Sequence, residues 1–184
     1  VKNGVCPGPP AGLHGKEDLM KKLLLFGAAL TLVLGSCSTG GTGNFELFLT
    51  DAPIEGLESV FITFSQIELR QEGGDVYMEL LTEPKEYDLL TLRDKEERVL
   101  RTDLPQGTYT AIRLTISAAR IVINGRTWTI GIDPPKVVTV PVNFTVLEDG
   151  VIKCVLDFDA GASVSSMGMS YGLAPVITVK RIGY

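Results

Sequence analysis

From Phe45 onward the chain alternates apolar and polar positions in short runs separated by turn-forming residues. Phe45, Leu47 and Leu49 alternate with Glu46 and Thr50 and stop at Asp51-Ala52-Pro53, a turn by proline and Asx chemistry. Apolar positions 60, 62 and 64 give way to 67 and 69, so the parity changes across Ser65-Gln66. A β-bulge that returns the later side chains to the core face is the simplest cause. Glu72-Gly73-Gly74-Asp75 reads as a hairpin loop, with Val76 to Leu81 as the returning strand. Tyr87 to Leu92 follows, and Arg93 to Arg98 is a run of mixed charge expected as a solvated loop or short helix at a sheet edge. After the turn Leu104-Pro105-Gln106-Gly107, Ile112, Leu114 and Ile116 share one strand face. Ile121 to Ile130 predicts a two-residue hairpin, because Asn124-Gly125 tolerates the positive φ angles of a type I′ turn. Val138, Val140, Val142, Phe144 and Val146 form the longest alternation, in which Pro141 marks an edge or a bulge. Glu148-Asp149-Gly150 turns the chain into Ile152, Cys154, Leu156 and Phe158. A small-residue loop is expected from Ala160 to Ser170, before Leu173, Pro175, Ile177 and Val179 close the fold.

This part of the chain carries no amphipathic helix pattern, and its turns recur about every dozen residues. The expected fold is therefore all-β, an antiparallel β-sandwich of eight or nine strands over 45–184. No period repeats, which argues against solenoids and propellers.

The N-terminal part follows different rules. Met20-Lys21-Lys22 precedes an uncharged run from Leu23 to Leu34, long enough for a secretory signal but short of the ~20 residues that span a bilayer. Leu34-Gly35-Ser36-Cys37 resembles the lipobox of bacterial lipoprotein signal peptides. That resemblance implies that 20–36 is cleaved and that the Cys37 thiol is lipidated. Residues 1–19 have no periodicity and several prolines and glycines, so Met20 is the expected start and 1–19 a mis-assigned leader. The stretch 37–44, which holds three glycines and two threonines, is expected as a flexible tether.

Charge narrows the partners. Setting aside Lys2, Lys16, Lys21, Lys22, Glu17 and Asp18 leaves 13 basic and 20 acidic side chains, a formal charge of −7. Clustered Lys and Arg are missing, which argues against a nucleic-acid partner. An acidic surface also repels anionic headgroups, so membrane association is expected through N-terminal acyl chains, each methylene contributing roughly 0.8 kcal/mol. The expected location is the cell envelope: the outer membrane or periplasm in a two-membrane host, as Ser38 suggests, and otherwise the cell surface. With Cys6 upstream and Cys37 acylated, only Cys154 remains, so no intramolecular disulfide is available. Cys154 lies in an alternating strand and reads as a small buried hydrophobe.

Candidate chemistry is sparse. The single histidine is His14, upstream of the signal, so a Ser-His or Cys-His nucleophile and any histidine-ligated metal are excluded downstream of it. Carboxylates remain. Asp157 and Asp159 are spaced to project from one strand face, ~6.6 Å apart, and Asp51 follows a strand end. These three are candidate Ca²⁺ ligands, against the alternative that they cap turns and strand ends. Repulsion between Asp157 and Asp159 calls for compensation by a cation, by Arg113 or Arg120, or by N–H groups of 160–163. Trp128 alternates with Thr127 and Thr129 and reads as a core or half-buried hairpin residue, with an exposed sugar platform as the rival. No cofactor is expected.

Several stretches together resemble one family, the exported domain DUF4382. They are Leu49-Thr50-Asp51-Ala52-Pro53, Tyr87-Asp88-Leu89-Leu90-Thr91-Leu92, Leu104-Pro105-Gln106-Gly107-Thr108-Tyr109-Thr110-Ala111-Ile112-Arg113-Leu114, Leu156-Asp157-Phe158-Asp159-Ala160 and Pro175-Val176-Ile177. The resemblance implies an immunoglobulin-like or transthyretin-like sandwich on envelope lipoproteins, and it implies no activity. The expected function is a non-enzymatic binding or structural module with an envelope protein or polysaccharide as partner. The alternative is a carbohydrate-binding or carboxylate-dependent carbohydrate-active domain using Trp128.

Overall fold

In a computed structural model, residues 40–51, 56–81 and 83–184 are described, all within the unit Gly40–Tyr184. The signal 20–36, the leader 1–19, Cys37 and the Ala52-Pro53 turn lie outside the described residues.

Alternation produces strands whose odd or even positions face inward, and twelve form among the described residues. One sheet contains β1 (Thr42–Asp51), β5 (Glu97–Pro105), β9 (Val151–Phe158) and β12 (Ile177–Gly183), in the order β12-β9-β1-β5. The other centres on β2 (Ser59–Gln71) and β6 (Gly107–Ile123). The far edge of β2 carries β3 (Tyr77–Leu81) and β4 (Lys85–Asp88), and that of β6 carries β7 (Arg126–Ile130) and β8 (Lys136–Val146). A 3-10 turn, Leu89–Leu92, follows β4. The sequence 160–173 forms a helical turn α1 (Ala160–Ser163) and a small hairpin, β10 (Val164–Ser166) with β11 (Tyr171–Leu173).

The core lies between the two sheets. Phe45 on β1 stacks on Phe144 of β8 at 5.3 Å, and Phe144 stacks on Tyr109 of β6 at 5.4 Å. Further along, Phe158 of β9 meets Phe64 of β2 edge-on at 6.5 Å. Fully burying a side chain of this size contributes roughly 1.5–3 kcal/mol, so these rings are a main reason the layers stay together. The Tyr109 hydroxyl donates to the Pro105 carbonyl at 3.0 Å, bridging the turn that separates β5 from β6.

The expected bulge is present: the β2–β6 register shifts around Phe64, and Ile67 and Leu69 return to the core. Pro141 sits opposite Ala111, where the β6–β8 register shifts. Asn124 and Gly125 both have positive φ, 50° and 68°, and close the β6–β7 hairpin.

Four expectations need correction. Among the described residues twelve strands form rather than eight or nine, because short β4, β10 and β11 carry too few residues to show a period. The sandwich is not wholly antiparallel, since β1 and β9 run parallel from Asn44↔Val151 to Asp51↔Phe158. The loop expected at 160–170 holds α1, β10 and the hairpin tip. Finally, Thr42, Gly43 and Asn44, expected in the tether, already belong to β1, paired with Pro105, Leu104 and Asp103.

Candidate functional site

The three candidate aspartates lie near one end of the sandwich, where β1 and β9 finish, but each does something different. Asp51 is buried at the end of β1, and its Oδ1 accepts the Ala160 N–H at 3.0 Å. Asp159 is the N-cap of α1 and accepts the Ala162 N–H at 2.8 Å, one of the backbone groups expected to compensate it. Asp157 projects from the outer face of β9, between Thr50 on β1 and Thr178 on β12. Its Oδ1 is buried and has no hydrogen-bond partner among the described residues. Among the described residues, no three His, Cys, Asp or Glu side chains are grouped to hold a metal ion.

Arg113 and Arg120 do not compensate these aspartates, because they lie on the other sheet with carboxylates of their own. Arg113 on β6 forks onto Glu68 of β2 at 2.7 and 2.6 Å and stacks over the Tyr77 ring at 3.8 Å. Glu68, chiefly through these hydrogen bonds, raises the Arg113 guanidinium pKa further. Arg120 pairs with Glu86 in the same manner and covers Phe61 at 3.5 Å. Both pairs act as planar forks on carboxylates, which fixes β2, β4 and β6 against one another. Cys154 is fully buried, and burial pushes its thiol up to about 12, as befits a packing residue rather than a nucleophile.

Trp128 is half-buried on β7 and packs against the core. The Arg126 guanidinium stands over its ring at 4.2 Å, and Tyr171 of β11 meets it edge-on at 5.6 Å. Arg126 thus occupies one side of the ring that a stacked sugar would need, while Tyr171 ties Trp128 to the β10–β11 hairpin.

That hairpin was missed by the alternation because its strands have three residues each. Its turn has a signal visible afterwards: glycine at the first corner, Gly168, with φ 72°, as a two-residue II′ turn requires. The Met167 N–H donates to the Ser170 carbonyl at 2.8 Å and closes it. The base is stitched down by buried Ser163, whose hydroxyl accepts the Val176 N–H at 2.8 Å and whose carbonyl accepts the Ala174 N–H at 2.8 Å. From this fixed base the tip exposes Met167 by 64% and Met169 by 89%. Two large apolar side chains on an otherwise Ser- and Gly-built turn form an apolar finger. It follows the end of β9, which runs parallel to β1, so it lies at the end of the sandwich away from where the chain enters β1.

At that entering end, Asn44, Arg101, Asp103 and Asp149 line a polar recess of about 260 Å³. No helix among the described residues is long and apolar enough to cross a membrane.

Comparison with protein families matches residues 42–175 to the model of a domain described as "Domain of unknown function (DUF4382)". No curated protein and no solved structure matches the chain.

Proposed function

The chain belongs to the DUF4382 family, and we propose that its sandwich is a non-enzymatic binding module of the cell envelope, anchored through acyl chains on Cys37. The observation that carries this reading is the finger: Met167 and Met169 stand in water on a hairpin braced by Trp128 and Ser163. Two exposed methionines on one braced turn support an interaction site, because methionine adapts its shape to a partner's groove. The partner is an envelope protein with an apolar groove, not a nucleic acid. Supporting the non-enzymatic reading, Asp51 and Asp159 are spent on backbone N–H groups, and Glu68 and Glu86 on arginines. Supporting the anchor, Cys37 ends the signal-like stretch.

Two experiments test this reading. Cys37→Ala should abolish acyl labelling and leave an uncleaved precursor; unchanged labelling would refute the anchor. A photo-crosslinking residue at Ser166, beside the finger, should give a discrete protein adduct in intact envelopes, whereas one at Val76, exposed on the β2–β3 loop, should not. Equal labelling from both positions, or none from Ser166, would refute the binding role.

A further inference from the structure

The finger differs from an ordinary apolar contact in its chemistry. Its exposed apolar groups are thioethers, and no bulky side chain on the turn shields them, since the residues around them are Ser165, Ser166, Gly168 and Ser170. Oxidation of a thioether is controlled by access of the oxidant to sulfur. Access here is graded. Met169 is 89% exposed, and Met167 is 64% exposed with its thioether lying over Gly172, where an added Cβ would stand 3.2 Å from the sulfur. Met78, the third methionine among the described residues, is partly buried against the core.

We propose that the hairpin tip is an oxidation site at which peroxide converts Met169 and then Met167 to sulfoxides, switching the finger's docking off. The sulfur lone pair attacks one peroxide oxygen as the O–O bond breaks. An S–O bond forms, and the departing hydroxide takes up the proton left on the transferred oxygen to become water. Sulfur is oxidised by two electrons and the peroxide is reduced by two. The product carries a strongly polar S–O group where an apolar one stood. Burying that group in an apolar groove without a hydrogen bond weakens docking by about tenfold or more for each residue.

The fold does not depend on these sulfurs. The turn is held by the Met167 N–H and Ser170 carbonyl, and its base by Ser163, all of which oxidation leaves in place. The switch is therefore local: the finger keeps its shape and changes its polarity. The oxidation order is independent of the binding role, whereas the loss of docking rests on it.

The test treats the full-length chain with hydrogen peroxide and maps sulfoxides by peptide mass spectrometry over time. Met169 should oxidise first, Met167 next and Met78 last, with at least about a tenfold rate difference between Met169 and Met78. The Ser166 adduct should fall in parallel, while circular dichroism stays unchanged. In a Met167→Leu, Met169→Leu variant, which removes both sulfurs, peroxide treatment should leave the adduct at that variant's own untreated level, whatever that level is. Oxidation of Met78 as fast as Met169 would overturn the site. An adduct lost equally in the leucine variant would overturn the switch. No adduct before treatment would overturn the binding reading and the switch together, with the oxidation order still deciding the site.

Discussion

Asp51 and Ala160, 109 positions apart, are joined by a buried hydrogen bond in which Asp51 Oδ1 accepts the Ala160 N–H at 3.0 Å. The bond fixes the end of β1 to the start of α1, and α1 leads directly into the finger. A strand-end aspartate that the sequence leaves open between metal ligand and cap thus positions the candidate binding element.

Removing that link should cost more than removing a solvent-side cap. Asp51→Ala is expected to lower stability by about 2 kcal/mol, because a buried hydrogen bond is lost and the Ala160 N–H is left without its acceptor. Asp159→Ala, which removes an exposed N-cap, should cost about 1 kcal/mol. Urea unfolding of both variants decides the order, and a larger loss for Asp159→Ala would contradict it.

Gly43 should resist substitution. A Cβ there would collide with the Leu147 carbonyl oxygen and stand 2.9 Å from the Gly150 carbonyl oxygen, both backbone atoms of the turn that feeds β9. Gly43→Ala is expected to destabilise by about 1–3 kcal/mol, the range for overpacking. Gly40→Ala, with nothing within 4 Å of the added carbon, should be neutral in the same thermal melt.

Cys154 should be silent towards alkylation in the folded protein. Its thiol is fully buried and raised to about 12, so near pH 8 almost none is thiolate. Peptide mapping after iodoacetamide should find Cys154 unmodified in native protein and fully modified in urea. Rapid native labelling would show that β9 opens far more often than its packing implies.

Acid should remove a contribution centred on Glu96. Hydrogen bonds from Arg181 foremost, and from Lys153, hold its carboxyl below its ordinary value of 4.5. A carboxyl depressed on folding adds stability above its unfolded value, and that stability is lost as pH falls through the lower folded value. Glu96→Gln should therefore lose less stability than the unaltered chain between about pH 6 and about pH 3. The difference should be under about 1 kcal/mol, since the three side chains are partly exposed. Identical acid profiles in urea unfolding would contradict it.

How much of this was legible follows from how each element is encoded. Long alternations such as Val138 to Val146 and the Asn124-Gly125 turn announce strand, face and hairpin locally, and the structure has them there. The bulge near Ser65 was legible because a parity change cannot keep both halves on the core face. Gly43 was misread for a physical reason: a glycine needed for close backbone approach looks in sequence like one that supplies flexibility. The β1–β9 parallel pairing has no local signature, since it is set by which strands meet across the sheet. The finger was hidden because three-residue strands have no measurable period, and Met167-Gly168-Met169 reads as loop until Ser163 and Trp128 are seen to brace it. Sequence likewise separates Arg113 and Arg120 from Glu68 and Glu86, so their pairing emerges only from the register of β6 with β2 and of β2 with β4.

The most direct measurement of the binding role is the yield of the Ser166 photo-adduct in intact envelopes, compared between the unaltered chain and a Met167→Ser, Met169→Ser variant. Serine keeps the turn, whose hydrogen bond uses backbone atoms, and removes the apolar tip. If the finger is the docking element, the adduct should fall by at least about tenfold while the melting temperature stays the same. An undiminished adduct in the serine variant would contradict the account.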